Sequence, residues 1–597
     1  MREKASARPG QKRESATGKR RENTRRKSAQ RENSTRESEG RALGDPRFGT
    51  ALVCAVAIAA SVAGILNAFT QDDLSILVGS ARLHGFGALR DILTLPYWPP
   101  PAAPDLYRPV ASMLLAAQYA LGDGAPLVFR IVSYALYAIA SVGVYRLALR
   151  LMPASIALVV ALFFAAHPVH VEAVALAVTQ NELIVAALTA FMTALYVDRR
   201  RDDTGVLSAR DWAMLVVAYA VAGFSKEQGL LLPAFLILSE IFLAPSRPWA
   251  ERGRALWLGF AVLLAGAAAM VAIRTLVLSG VVGPTMIAEA LRGQTFGGRL
   301  LTMLQIVPEW TRLLVWPVHL RAEYSPREFV ASTAFGEAEA TGLAIVLLVA
   351  VAIWLARKRA PAISFGLSWC CLALFPVSNV VIPTGILIAE RTLFLPSVGF
   401  VLALGGVIAA IARQRLVVTS RGRLLASAAA GVIVVAALAR SAERQRVWQD
   451  PVTLTVASIR DAPLSWRVQQ AYGDMLFSQG RAADGIAAFR RAIDLAPESW
   501  RPRNFLAERL RRIGDDSDAV TLLRVSLAED PRQISTVAAL APALLGAGRY
   551  AEAKKLADSI IVAENAPPIM VQMSRLADSA MKINAPPGSM RIGIPMR

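Results

Sequence analysis

FGTALVCAVAIAASVAGILNAFTQDD, residues 48 to 73, decides the fold. From Phe48 to Phe69 no side chain carries a charge, and 22 residues are enough for a helix to cross a hydrocarbon core of about 30 Å. The run then ends on an acidic pair, Asp72 and Asp73. It is too long for a signal-peptide core and has no convincing small-residue cleavage site, so it is expected to remain as a first membrane helix. Working outward, ten more apolar runs follow: Ala125 to Met152, Ala154 to Val178, Leu183 to Tyr196, Trp212 to Phe224, Leu230 to Leu243, Ala255 to Leu278, Leu343 to Leu355, Ile363 to Val377, Leu393 to Ala412 and Leu424 to Leu438. With 54% hydrophobic residues over 597 positions and a mean hydropathy of +0.43, the chain reads as an all-α, polytopic membrane protein with about 11 crossings.

Charge orients it. Residues 1–47 hold 15 Arg and Lys against 7 Asp and Glu and lack a periodic apolar face, so the tail is expected to be disordered, basic and cytoplasmic. The net charge of +20 therefore reads as a topology signal, and no nucleic-acid partner is expected. Starting inside, the even crossings end at Arg146/Arg150, Arg199-Arg200-Arg201, Arg247/Arg252/Arg254, Arg357-Lys358-Arg359 and Arg413/Arg415/Arg421/Arg423, all on the cytoplasmic side. This alternation requires Leu300 to Trp316, interrupted by Pro308 and Glu309, to lie at the outer surface or re-enter rather than span. In the first outer loop, residues 70–125, Tyr107 to Leu121 is expected to lie flat and Pro96-Tyr97-Trp98-Pro99-Pro100-Pro101 to sit at interfacial depth. The three cysteines, Cys54, Cys370 and Cys371, form no disulfide framework or metal-ligand spacing.

After residue 440 the composition turns to that of soluble helices, and a 34-residue period appears. Tyr472-Gly473, Leu476, Gly480, Phe489, Ala492 and Pro497 return as Leu506-Ala507, Leu510, Gly514, Leu523, Ser526 and Pro531, then as Leu540-Ala541, Leu544, Gly548, Ala553, Ala557 and Ile560. Residues 466–567 thus resemble three tetratricopeptide repeats, an α-solenoid whose concave face binds peptides or partner proteins, followed by a C-terminal tail at 568–597.

A charge at a helix centre costs about 2.5–3.5 kcal/mol on insertion scales, so ionisable residues gathered at one membrane face point to function. Asp72, Asp73, Arg108, Arg130, His167, His170, Glu172, Glu182, Lys226, Glu227, Glu390 and Arg391 all fall on the side expected to face outward. Lys226 and Glu227 equally well neutralise each other at a tight turn, and the less favoured reading of Arg391 is a pair with Glu390 or a side chain snorkelling to head groups. His167, His170 and Glu172 have a metal-like spacing, but a proline-kinked helix end with hydrogen-bonded histidines is the better reading. Gln180-Asn181-Glu182 is placed to hydrogen-bond sugar hydroxyls.

In order, Asp72-Asp73, Tyr107-Arg108-Pro109, Phe163-Phe164 through His167-Pro168, His170, Glu172 and Val174, then Ser225-Lys226-Glu227 and Glu390-Arg391 through Phe394, Pro396 and Ser397, all ahead of the repeats, resemble the transmembrane and tetratricopeptide-repeat O-mannosyltransferase family. That family belongs to the GT-C class of polytopic glycosyltransferases, and the likeness covers most of residues 50–567. It implies a GT-C-like catalytic domain at 48–440 and inverting transfer from a polyprenyl-phosphate sugar to a hydroxyl at the outer membrane face. Asp72, or the adjacent Asp73, is then the general base, with Arg391, Lys226 and Arg130 near the donor phosphate. Arg108, His167, His170, Glu172, Glu182, Glu227 and Glu390 would form the substrate pocket. No cofactor or metal is implied, because monophosphate-linked donors generally need none. The Ala- and Arg-rich, Lys-poor composition reads as bacterial, which places the site and the repeats outside the inner membrane and makes the carrier polyprenyl. A non-catalytic scaffold recruiting envelope proteins is the alternative. Transport fits less well, because no duplicated halves with midplane sites are visible.

Overall fold

The computed structural model describes residues 46–99, 105–202, 205–244, 249–278, 287–324, 327–413, 420–529, 533–561 and 568–589. Nearly all of the basic tail, Pro100-Pro101, Arg247 and Arg415 lie outside the described residues. The described residues form helices and no strand. In chain order these are α1 (Pro46–Ser61), α2 (Leu89–Thr94), α3 (Pro109–Gly122), α4 (Pro126–Leu151), α5 (Ala154–Ala166), α6 (Val171–Ala175), α7 (Gln180–Arg201), α8 (Ala209–Ser225), α9 (Leu232–Phe242), α10 (Trp249–Leu278), α11 (Phe296–Val315), α12 (Glu337–Ala356), α13 (Pro361–Leu374), α14 (Phe394–Arg413) and α15 (Ser420–Val447). Then come α16 (Pro451–Asp461), α17 (Trp466–Ser478), α18 (Ala482–Leu495), α19 (Trp500–Ile513), α20 (Asp516–Glu529), α21 (Ile534–Gly546), α22 (Tyr550–Ile561) and α23 (Pro568–Lys582).

Among the described residues seven helices are long and apolar enough to cross a bilayer, and α5 with the turn and helix from Pro168 to Ala175, bent by 45°, makes an eighth if the pair is one span. The remaining three expected crossings fall on α8, α9 and α13, which have 17, 11 and 14 residues. At 1.5 Å per residue these are shorter than a full crossing. Such helices need neighbours: Phe235 of α9 stacks on Trp369 of α13 at 3.7 Å, inside a core with Phe164, Phe365 and Phe394. Across α13 and α14, Gly366 and Gly399 face each other so closely that a methyl on either would lie 2.4–2.5 Å from the other's backbone oxygen. This is the small-residue contact that lets membrane helices pack without a hydrophobic driving force.

The ends of the bundle differ in charge. Arg150 pairs with Asp198, Arg199 with Asp211 and Arg200 with Glu240, which gathers the ends of α4, α7 and α9 with the start of α8 at one end. The candidate site lies at the other. α11 touches only the site end at its extremities: Arg299, near its start, donates to the Val380 carbonyl, and the Leu314 carbonyl, near its finish, lies 3.0 Å from His167 Nε2. A helix with both ends on one side does not span, in keeping with the sequence expectation for Leu300 to Trp316.

Beyond α15 the helices of the array begin at Trp466, Trp500, Ile534 and Pro568, and their partners at Ala482, Asp516 and Tyr550, each step being 34 residues. Gly480, Gly514 and Gly548 take φ of 76°, 97° and 74°, so the period reflects one left-handed turn per hairpin. The segment expected to be a C-terminal tail carries α23, which continues the period; Met570, Met573 and Ala577 are buried against the array. The array joins the site end. Trp466 donates to Glu289 at 2.7 Å, the Leu464 amide donates to Glu328 at 3.0 Å, and the Ala68 amide to the Gln449 carbonyl at 2.8 Å.

Candidate active site

The acidic pair is split by one unusual residue. Gln71 has φ of 45°, a left-handed value uncommon outside glycine, and the Asp73 amide closes the turn onto the Thr70 carbonyl at 3.1 Å. Neighbouring carboxylates therefore face different surroundings. Asp73 is fully buried; its two oxygens accept the Ala177 and Val178 amides at 3.0 Å each. Burial pushes its carboxyl up to about 6, against Arg130 and those amides, which pull it down. Asp72 keeps 32% of its side chain exposed, and its ion pair among the described residues is with Arg391 at 3.3 Å. Of the two aspartates nominated as base, the turn leaves Asp72 partly exposed and buries Asp73 in the fold.

Arg391 is the hinge of the site. Its amide donates to Glu172 at 2.9 Å, and its guanidinium bridges Glu172 and Asp72. Glu172 is placed by the bend at Pro168, which turns α6 across the bundle end. Glu390 lies one residue earlier on the same single turn and points the opposite way. It is fully buried and accepts from the Tyr324 hydroxyl at 2.8 Å, with Arg444 at 3.8 Å. The Glu390–Arg391 pair considered from sequence does not form, and Glu390 supports the site from beneath rather than lining a pocket.

Lys226 and Glu227 do not neutralise each other either. The turn after α8 folds back tightly; a methyl on Gly229 would sit 2.2 Å from the Ala222 carbonyl carbon, so only glycine fits. This sends Lys226 to Glu182 at the start of α7, and Glu227 to Arg108 at 2.7 Å and Arg274 at 2.9 Å. Burial lowers the Lys226 ammonium, opposed by Glu182. Burial would raise the Glu227 carboxyl, but Arg108 and Arg274 outweigh it and hold it at about 2. Four carboxylates (Asp72, Glu172, Glu182, Glu227) and four cations (Arg391, Lys226, Arg108, Arg274) thus gather at the bundle end in three ion-paired groups. Tyr97, expected at the membrane interface, is instead buried under Arg108, whose guanidinium lies 5.4 Å from its ring.

Three nominated residues are structural. Arg130 is 1% exposed and spends its donors on the Asn67, Ala68 and Ala175 carbonyls, holding the first loop rather than presenting to a phosphate. His170 meets Tyr137 at 3.0 Å through Nδ1 and Ser397 at 2.8 Å through Nε2; His167 is engaged by Leu314 and the Val169 amide. With both nitrogens occupied, these buried rings are helix-end fasteners, not pocket walls. Gln180 hydrogen-bonds Gln118 at 2.8 Å inside the fold, which leaves Glu182 as the member of its triplet in the charge row. Sequence reasoning missed Arg274 and Arg444. A lone arginine in the apolar run Leu256 to Leu278 was the available signal for Arg274.

Helical crossings, a polar roof at one end and an appended hairpin array define a polytopic helical membrane protein. In sequence the chain is similar to transmembrane and tetratricopeptide-repeat O-mannosyltransferases. The family described as dolichyl-phosphate-mannose-protein mannosyltransferase matches residues 102–273, which contain Arg108, Glu172, Glu182, Lys226 and Glu227. The chain is 22% identical to mouse protein O-mannosyl-transferase TMTC3 over 484 residues, covering 75% of this chain and 51% of that protein. It is 23% identical to human protein O-mannosyl-transferase TMTC4, over 74% of this chain and 65% of the relative. The likeness to protein O-mannosyl-transferase F38B6.6 of Caenorhabditis elegans is 23%, over 72% and 60%. The chain therefore spans about half to two thirds of the length of these curated relatives.

Proposed function

We propose that this chain is a membrane glycosyltransferase that moves a sugar from a polyprenyl-phosphate carrier to a protein Ser or Thr hydroxyl, with inversion, and that Asp72 is the general base. The observation that carries this reading is the division of the acidic pair: one carboxylate is sealed by two amides, the other is half-open and aimed by Arg391. In a single displacement the acceptor oxygen attacks the anomeric carbon as its proton passes to Asp72. The bond from that carbon to the phosphate oxygen breaks, and the electron pair leaves with the phosphate. A phosphate departs as a stable anion, so fixed positive charge serves it where a glycosidase needs a second carboxylic acid. The acceptor protein is held by the hairpin array, which shares the site's end of the bundle and raises the local concentration of hydroxyl. No cofactor takes part, and the site faces outward from a bacterial inner membrane.

The test is transfer of a labelled sugar from polyprenyl phosphate to envelope protein by the purified chain. Asp72→Asn is expected to reduce turnover about 10²–10⁴-fold, the range for loss of a general base, with the unfolding temperature unchanged. Undiminished transfer by that variant would reject Asp72 as the base. A native chain that binds envelope protein yet never consumes the donor would reject the transferase reading itself.

A further inference from the structure

Resting on the transferase reading, we infer that Arg444 is a positioning residue for the transfer: it ties the corner between α16 and α17, where the array begins, to the turn that carries Arg391, and through Arg391 it sets the aim of Asp72.

Two routes from that corner converge on Glu390. Along the first, the Arg444 guanidinium, on α15, lies between two carboxylates, with Nη1 3.7 Å from Asp461 at the end of α16 and Nη2 3.8 Å from Glu390. Along the second, the Leu464 amide donates to one oxygen of Glu328 at 3.0 Å, and the other oxygen takes the Arg321 guanidinium at 2.9 Å. The Arg321 amide then donates to Glu390 at 2.5 Å. Glu390 opens the single turn Glu390–Leu393, so a shift of its carboxylate is a shift of the next residue. That residue is Arg391, which grips Glu172 through its amide and guanidinium and reaches Asp72 at 3.3 Å.

Arg444 is held in a way that transmits such a shift. It is 2% exposed, yet neither of its ion pairs is short enough for a hydrogen bond. Among the described residues its Nε and Nη2, and Oε2 of Glu390, have no hydrogen-bond partner. The oxygens nearest to hand are engaged elsewhere as well: Glu390 Oε1 takes the Tyr324 hydroxyl and the Arg321 amide, and Asp461 Oδ1 takes Arg460 at 3.0 Å. Charge-assisted hydrogen bonds form at about 2.7–2.9 Å, so a move of about 1 Å would seat the guanidinium on one carboxylate and release it from the other. With little water to screen the charges, the pull of each acid is strong, and the cation's place is set by both. The link runs from the corner alone, which separates it from capture of the acceptor by the hairpins beyond.

Asp461→Asn tests this, because Asp461 is partly exposed and lies outside the charges around Asp72. Steady-state transfer by the full chain should show kcat reduced about two- to thirty-fold, the range for a contact that couples two regions, with acceptor KM and polyprenyl-phosphate binding unchanged. In an Arg391→Lys background the same change should bring no further loss, because the link it acts through is already cut. Arg444→Gln should reproduce the kcat loss; if it does not fold, the two Asp461 measurements decide. An undiminished kcat in Asp461→Asn, a loss confined to KM, or losses that multiply with Arg391→Lys overturn the positioning role and leave the transferase reading standing. A native chain that never consumes the donor overturns both.

Discussion

The two ends of the helical bundle both carry buried ion pairs, and they are finished differently. At the basic end Arg200 and Glu240 are 4% and 5% exposed, with the Tyr196 hydroxyl 2.9 Å from the same carboxylate. That pair is closed, and nothing outside the protein can compete for it. At the site end the corresponding charges form a row whose outer members, Asp72 and Glu227, stay about one third exposed. Burial of a pair signals architecture; an incompletely covered carboxylate held by an arginine stays open to exchange its partner.

The largest effects should separate the ends by kind. Glu240→Gln leaves Arg200 uncompensated inside the protein and is expected to cost about 3–5 kcal/mol of stability, with turnover per folded molecule unchanged. Asp72→Asn should do the reverse. Unfolding temperature and initial rate, measured on the same preparations, check both; a Glu240 variant that unfolds normally but transfers slowly would break the comparison.

A similar contrast exists inside the acidic pair and appears in its pH dependence. Burial raises Asp73 from 3.8 to about 6, with Arg130 and the Ala177 and Val178 amides opposing and Asp72 adding repulsion. The native state thus favours the protonated form. Its contribution is whole below about pH 4 and is lost as pH rises through 6, about 3 kcal/mol across that window. Glu227, held at about 2, acts oppositely at lower pH: its contribution is present above 4.5 and lost as pH falls toward 2. Unfolding curves between pH 4 and 7 for the native chain minus those for Asp73→Asn should show the downward slope. Parallel curves would mean that Asp73 is not desolvated and that the pair is not split.

Much of the fold was legible because its signals are local. The uncharged run before Asp72, the Pro168 bend and the 34-residue recurrence of Gly480, Gly514 and Gly548 each encode a crossing or a turn within a few residues. What could not be read depends on partners far away in the chain. Asp73 is sealed by amides 104 and 105 residues later, and Arg391 is paired with a glutamate 219 residues earlier. Nothing near Glu390 tells which of two adjacent charges turns inward. The opposite roles of Lys226 and Glu227 likewise follow from where α7 and α10 bring Glu182 and Arg274.

Within the site row, Arg391→Lys sharpens what rigidity contributes. A lysine keeps the charge but lacks the fork that reaches Glu172 and Asp72 together, so Asp72 loses its aim while the row stays neutral. Turnover is expected to fall about tenfold, worth one charge-assisted hydrogen bond, with donor binding nearly unchanged. A variant that loses donor affinity instead would place the phosphate at Arg391.

The smallest effect belongs to the array, which shares the site's end of the bundle and whose hairpins turn on periodic glycines. Gly514 adopts φ of 97°, and an added methyl pays the left-handed penalty of about 1–2 kcal/mol at that turn. Gly514→Ala should therefore loosen the α19–α20 hairpin, seen as faster amide exchange in residues 500–529, without altering donor binding at the membrane. Acceptor transfer should fall only through weaker acceptor capture, a rise in KM at constant kcat. A drop in kcat would show that the array sets the geometry of Asp72 as well as holding the substrate, and would join the two regions into one catalytic unit.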